Sequence, residues 1–270
     1  MKKQFSVGIA GFGTIGKVIG KALDDGLEGL TLTAVTSGNL EKAKSNLSGY
    51  KSSVDVVPAN ELADHCDIVV ECAPTSAFMD VALPTLKQGK TLVTVSGAAI
   101  LQNPSIVETA KEHGAQIVLA TGALLGLDAV RAAALGEIHS VKMVTRKPPT
   151  SLNKAKYVVE NNIDLSNLEE PLRLFKGSAR EGAEAFPSNV NVAAALGLAG
   201  VGADKTELEI WADPTKVRNT HNIKVDACSA AFELTIENVP TVENPGTGRI
   251  TALSVIAALE SLAATLRVGS

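Results

Sequence analysis

The residues that first invite a chemical reading are three glycines. Gly11, Gly13 and Gly16 in "GIAGFGTIGK" have the spacing G-x-G-x-x-G, follow an apolar run from Phe5 to Ala10 and precede a helical stretch from Thr14 to about Asp25. This placement aims a helix N-terminus, with its unpaired N–H groups and partial positive charge, at a pyrophosphate. Gly11 permits the tight turn, Gly13 the close approach of backbone to phosphate, and Gly16 the contact of helix with strand. The expected ligand is a dinucleotide, NAD or NADP, held by Gly11, Gly13, Thr14, Ile15 and Gly16. The next strand ends in "VTSGNLEKAK", with no Asp or Glu near Thr36 or Ser37 to accept from the ribose hydroxyls and repel a 2′-phosphate. Hydroxyls, Asn39, Lys42 and Lys44 tolerate phosphate there, so NADP is expected to be accepted. The alternative is that Glu41 reaches the ribose.

Two further strands, "DIVVECAP", ending at Ala73 and Pro74, and "TLVTVSGAA", ending around Ser96 to Ala98, carry small residues where a nicotinamide ring needs room. Of the four histidines, His65 and His113 fall in or near helices and His139 begins a strand. His221 differs: it lies in "ADPTKVRNTHNIKVD", read as a polar loop between two strands, beside Arg218 and Asn219. An imidazole with an unperturbed pKa of about 6.5 can take and return protons near neutrality. Spacing alone does not separate that role from a structural one. Cys66, Cys72 and Cys228 lack Cys-x-x-Cys spacing, which argues for buried, reduced thiols and against disulfides or a zinc site. No metal is expected.

The elements that must position these residues fall into two sets. Up to about residue 122, short β-branched runs such as "FSVGIAG", "LTLTAV", "KTLVTVS" and "AQIVLAT" alternate with helical signals, among them "NPSIVETAKEHG" with Asn103 as cap and Gly114 as stop. Alternation of this kind predicts a doubly wound parallel sheet of Rossmann type, covered on both faces. Beyond it, "IHSVKMVTRKPP", "KTELEIWADP" and "IKVDACSAAFELTIENV" read as strands of a largely antiparallel sheet in an α+β domain. A helix in "NVNVAAALGLAGVG" starts at Asn189 or Asn191, residues 151–185 read as loop with some helix, and the apolar segment 247–268 reads as a buried helix returning to the first domain. The expected division is 1–122 plus 246–270 for the dinucleotide-binding domain and 123–245 for the catalytic domain.

The totals narrow the class. In 270 residues, 45% are hydrophobic and only 3% aromatic, enough for a sizeable aliphatic core and too few rings for stacking bases. The net charge of −4, with scattered Lys and Arg, offers no footprint for nucleic acid or an anionic membrane. Neither a signal peptide nor a membrane span is read from the chain, so the cytoplasm is expected.

Several motifs in order, "ATGALLGLDAVRAA" at 120–133, "TRKPP" at 145–149, "FPSNVNVAAALGLAG" at 186–200, "ADPTKVRNTHNI" at 212–223 and "NPGTGRITALS", resemble the L-aspartate dehydrogenase family over nearly the whole chain. The resemblance implies reversible oxidative deamination of L-aspartate to oxaloacetate and ammonia through iminosuccinate, with NAD or NADP as hydride acceptor. Oxidation of aspartate and supply of iminosuccinate for NAD synthesis are both compatible with it. It places the catalytic histidine at His221 and cofactor contacts at Asn191 and at the backbone near Ala123 and Leu125; where Leu125 stands the family often has a smaller residue. It also implies a homodimer. Substrate carboxylates need cationic or amide donors, and Arg218, Lys147, Lys224 and Asn219 are all open for that role, as is the helix N-terminus at "SNVNV". Rival readings are a homoserine dehydrogenase, a dihydrodipicolinate reductase, or an NADP(H)-binding sensor without turnover.

Overall fold

A computed structural model describes residues 3–187, 190–244 and 246–269, which divide into two units, residues 1–120 with 251–270, and residues 121–250. In the first, β1 (Phe5–Ala10), α1 (Thr14–Gly26), β2 (Leu30–Thr36), α2 (Leu40–Asn46), β3 (Asp55–Val56), β4 (Ile68–Glu71), α3 (Phe78–Lys87), β5 (Thr91–Thr94), α4 (Gly97–Gln102), α5 (Ser105–Glu112) and β6 (Gln116–Leu119) follow in turn. The six strands form a parallel sheet in the order β3-β2-β1-β4-β5-β6. Its strands are apolar on both faces for a visible reason. Val7, Ile9, Ile68, Val70 and Val93 enter one core cluster, while Ala10, Ala34, Val69 and Leu92 enter another on the opposite face. Each Val, Ile or Leu among them contributes about 1.5–3 kcal/mol by leaving water.

Asn103 does not cap α5; its side-chain amide donates to the Ala99 carbonyl at 2.9 Å and so closes α4, while Pro104 stands before α5. An amide two residues before a helix has the carbonyls of the preceding turn within reach, and here those win.

The second unit contains α6 (Leu127–Ala133), β7 (Ile138–Lys147), α7 (Lys156–Glu160), β8 (Leu172–Ser178), α8 (Ala179–Ala185), α9 (Asn191–Ala199), β9 (Thr206–Ala212), β10 (Asn219–Ala227) and β11 (Ala231–Asn238). Its five-stranded sheet has the order β11-β10-β7-β9-β8 and is antiparallel except for the β7–β9 pair. Two expectations from sequence need correction. His221 is in no loop but inside β10, and residues 151–185 supply an edge strand, β8, besides helices. A capping box, Ser178 with Glu181, starts α8 directly after that strand. Helix α9 begins at Asn191; Asn189, the other expected start, and Ser188 lie outside the described residues.

The last helix, α10 (Ile250–Ala263), sends Ala252, Val255 and Leu259 into the core of the first unit, on the side of Val7 and Ile9. Among the described residues no helix is long and apolar enough to cross a membrane, and no group of three or more His, Cys, Asp or Glu could hold a metal ion. The cysteines are free; Cys66 is buried, but Cys228 is exposed, contrary to the buried thiols expected.

Candidate active site

In the first unit the chain runs from β1 outward to β2 and β3, then crosses back to place β4 on the other side of β1. The crevice at the carboxyl ends of β1 and β4 is therefore the switch point where such sheets take their ligands. Gly11 has φ +90°, and a Cβ on it would stand 2.5 Å from the Cys72 carbonyl oxygen; the turns after β1 and β4 touch there. A Cβ on Gly16 would meet the Gly11 carbonyl oxygen at 2.1 Å, so α1 sits on the turn as closely as backbone allows. Gly13 is the opposite case, since a Cβ on it would find nothing within 4 Å. It stands at the N-cap of α1 without a side-chain cap, and no acidic residue occupies the first turn. Open space at an uncapped helix N-terminus fits a pyrophosphate.

The neighbouring turn is braced from below. Glu71 is fully buried at the end of β4, accepting from the Ala73 N–H at 2.9 Å and from the Thr94 hydroxyl at 2.5 Å, with Ser96 as a further donor. Burial pushes its carboxyl pKa up, against the pull of these donors. The result ties Ala73, beside Pro74, to the ends of β4 and β5.

After β2 the expectations divide. Thr36 is buried, its carbonyl accepting from the Gly11 N–H, so it braces the glycine turn. Asn39 caps α2 through the Lys42 N–H at 2.9 Å, and Glu41 pairs with Lys44 at 2.9 Å. No acidic side chain lies between Thr36 and Leu40.

In the second unit the sheet face that carries Val141, Met143, Ile223 and Val225 is apolar for most of its length and turns polar at one end. There, Thr145 and Lys147 on β7, Asn219 and His221 on β10 and Asn238 on β11 are each less than a tenth exposed. Strand register brings them together: Thr145 pairs with His221 and Asn219 with Asn238. The Thr145 hydroxyl lies 3.0 Å from His221 Nδ1. For His221 to accept a proton at Nε2, Nδ1 must carry the ring hydrogen and donate it to Thr145. Burial, and then the field of Lys147, push the His221 pKa down from 6.5 to about 3. This replaces the unperturbed imidazole expected from sequence: in the free protein His221 is neutral throughout the physiological range. Burial likewise pulls the Lys147 ammonium down to about 8.

Two atoms in this cluster are orphaned. Among the described residues, the Oδ1 atoms of Asn219 and Asn238 are buried without a hydrogen-bond partner. Their amide nitrogens are occupied, Asn219 donating to the Gly246 carbonyl at 3.5 Å and Asn238 to the Ala123 carbonyl at 3.0 Å. Buried acceptors left open mark a place for a donor that a ligand or water brings.

Of the four groups open for a carboxylate, Lys147 and Asn219 lie in this cluster, whereas Lys224 is exposed on the opposite face of β10 and Arg218 is exposed just before the strand. Ala123 is tied to the cluster through Asn238, while Leu125 is half-buried in the loop before α6 and Asn191 opens α9, which packs on α6 and β9. The other histidines are engaged elsewhere: His65 with Asp55 at 3.1 Å, His113 with the Thr109 carbonyl at 3.0 Å, and His139, exposed, beside Glu137. Sequence reasoning missed Thr145, Asn238 and Glu71. Thr145 and Lys147 continue the inward positions of Val141 and Met143 in "VKMVTRK", and polar residues on an inward register are the signal that finds them.

Comparison with known proteins divides the chain after the same residue, 120, although the second match runs on into the last helix of the first unit. Residues 11–120 match the family described as homoserine dehydrogenase, NAD binding domain, and residues 128–262 match the family described as aspartate dehydrogenase, C-terminal. The chain is 53% identical over 267 residues to an L-aspartate dehydrogenase of Bradyrhizobium diazoefficiens, covering 99% of this chain and 95% of the relative. It is 46% identical to L-aspartate dehydrogenase 3 of Bordetella bronchiseptica, covering 100% of this chain and 99% of the relative. Among solved structures it is similar to aspartate dehydrogenase from Thermotoga maritima, with a TM-score of 0.75 and 25% identity over 98% of this chain and 100% of the other. A homoserine dehydrogenase from Thiobacillus denitrificans shares the fold, with a TM-score of 0.62 at 15% identity over 97% of this chain and 74% of the other.

Proposed function

The chain belongs to the L-aspartate dehydrogenase family, and from that premise we propose that it converts L-aspartate, NAD(P)+ and water to oxaloacetate, ammonia, NAD(P)H and a proton, with His221 as the proton-transfer group. The observation that carries the reading is the buried polar cluster around His221 at the end of an otherwise apolar sheet face. When bound, the nicotinamide cofactor takes the hydride that leaves the substrate α-carbon.

The residues of the chain do the rest. The uncapped N-terminus of α1 and the open space at Gly13 receive the pyrophosphate, with Thr14 and Ile15 in the first turn and Ala73 and Pro74 bordering the crevice. Ala123, Leu125 and Asn191 are the family's contacts with the nicotinamide half. The amino group donates to the open Asn219 and Asn238 oxygens. As water adds to the carbon of iminosuccinate, a proton passes to His221 Nε2 while Nδ1 stays on Thr145. Collapse of the carbinolamine then breaks the C–N bond, and the returned proton leaves with ammonia.

The stretch after β2 supports acceptance of NADP as well as NAD, since no carboxylate opposes a 2′-phosphate there and Glu41 is held by Lys44. Released as the imine before water adds, the product of aspartate oxidation at the same site would supply iminosuccinate for NAD synthesis. The family reading also carries a homodimer, which light scattering on the purified protein checks. Turnover is tested by following reduced cofactor with L-aspartate or L-homoserine and either dinucleotide. Aspartate-specific reduction is expected; reduction with homoserine alone would move the assignment to the rival enzyme, and cofactor binding without turnover of either to the sensor.

A further inference from the structure

The cluster contains a second ionisable group whose place beside the imidazole is not explained by the proton transfer itself. Lys147 follows Thr145 by two residues on β7, so both point to the same face. Thr145 is the cross-strand partner of His221, with 3.0 Å between hydroxyl and Nδ1. Lys147 is therefore the diagonal neighbour of His221, a position within reach of a long side chain. Both residues are 3–4% exposed, and the cation bears on the imidazole through little water.

Among the described residues, the surroundings leave Lys147 as the charge acting on His221. On β7, Arg146 and Lys142 point to the other face, where Arg146 pairs with Asp213 at 3.1 Å and Lys142 with Glu207 and Glu209. On β10, Lys224 and Asp226 point outward and are exposed, as are Glu233 and Glu237 on β11. The Asp213 carboxylate is taken up by Arg146 and Thr215. Thr145, Asn219 and Asn238, which share the face with His221, are uncharged.

We propose that Lys147 receives a carboxylate of the substrate, and that this carboxylate, by offsetting the lysine charge, is what allows His221 to take up a proton. The inference rests on the aspartate reading for the identity of the ligand and deepens it: the site stays proton-averse when empty and becomes a working base when a dicarboxylate enters. A cation held beside a neutral base favours the unprotonated imidazole, and an anion on that cation removes the bias. Substrate binding and base activation thus become one event. A monoamine without the carboxylate would fill the space and leave His221 inert.

The test reads the imidazole directly. Protein labelled with nitrogen-15 in histidine is titrated by NMR with and without succinate, a four-carbon dicarboxylate with no amine to oxidise, and His221 is identified by the signal lost in His221→Gln. In wild type, saturating succinate is expected to raise the His221 midpoint by about one pH unit or more. In Lys147→Met, an apolar replacement of similar length, the midpoint should already be higher without succinate and should not respond to it. Kinetically, Lys147→Met should raise KM for L-aspartate about 10- to 100-fold while leaving KM for the dinucleotide unchanged. The acid limb of its kcat/KM profile should move to higher pH, and Lys147→Arg should recover part of the KM. A succinate response of equal size in Lys147→Met, or none in wild type that turns over aspartate, overturns the proposal. If wild type turns over no aspartate, the enzyme reading fails instead, and the midpoint difference between ligand-free wild type and Lys147→Met still decides the coupling.

Discussion

Replacing Thr145 by valine keeps the shape of the side chain and removes one hydroxyl. That hydroxyl is 3.0 Å from His221 Nδ1, and both residues are 3% exposed. Leaving a buried ring nitrogen without its partner costs about 1–3 kcal/mol. If the bond is needed to keep the hydrogen on Nδ1 and Nε2 open, the same amount appears in the barrier, a fall of roughly 5- to 150-fold in kcat. Thr145 is not among the residues assigned to the dinucleotide, so KM for the dinucleotide should not move. The assay is steady-state formation of reduced cofactor from L-aspartate for wild type, Thr145→Val and Thr145→Ser, with urea unfolding of each. Thr145→Ser should keep most of the rate because it keeps the hydroxyl. If Thr145→Val works within about twofold of wild type, the hydrogen bond does not set the working tautomer and the reasoning fails.

The two glycines of the turn should separate binding from folding. Gly13→Ala meets nothing within 4 Å in the free protein, so its unfolding midpoint should stay unchanged while calorimetry shows dinucleotide affinity falling about tenfold or more. Gly16→Ala drives a Cβ to 2.1 Å from the Gly11 carbonyl and should lose both affinity and roughly 1–3 kcal/mol of stability; equal behaviour of the two variants would contradict this division. His221 should also shape acid stability: its folded pKa of about 3 lies below its unfolded 6.5, so the unfolded chain binds the extra proton and stability is lost as pH falls between those values. The loss approaches about 4–5 kcal/mol near the lower end, and denaturant melts of His221→Gln should show a shallower acid decline; an unchanged decline would mean the imidazole is not held neutral.

The first unit was readable because its constraints are local. Runs such as "IVV" in β4 are apolar on both faces, as a covered parallel sheet requires, and the glycine turn is legible from the spacing of Gly11 and Gly16, whose backbones meet, although its other close contact, Gly11 on Cys72, joins residues far apart in sequence. The second unit hid its most informative residues for a physical reason. Asn219, Thr220 and His221 are all buried at the start of β10, so polar side chains stand where a strand's apolar alternation should be and the segment looks like a loop. β8 was missed because it is an edge strand whose register shifts between Arg173 and Phe175, which breaks the period of two. The low proton affinity of His221 was beyond the sequence altogether, since it comes from burial and from a lysine 74 positions earlier in the chain.

His221 is proposed to move the protons of aspartate deamination without taking part in dinucleotide binding. The direct measurement is the rate of reduced-cofactor formation from L-aspartate by His221→Ala beside wild type, with dinucleotide affinity of both measured by calorimetry on the same samples. Loss of the rate by about 100-fold or more with affinity unchanged is expected. A variant that keeps its rate, or that loses rate and cofactor affinity together, would contradict it.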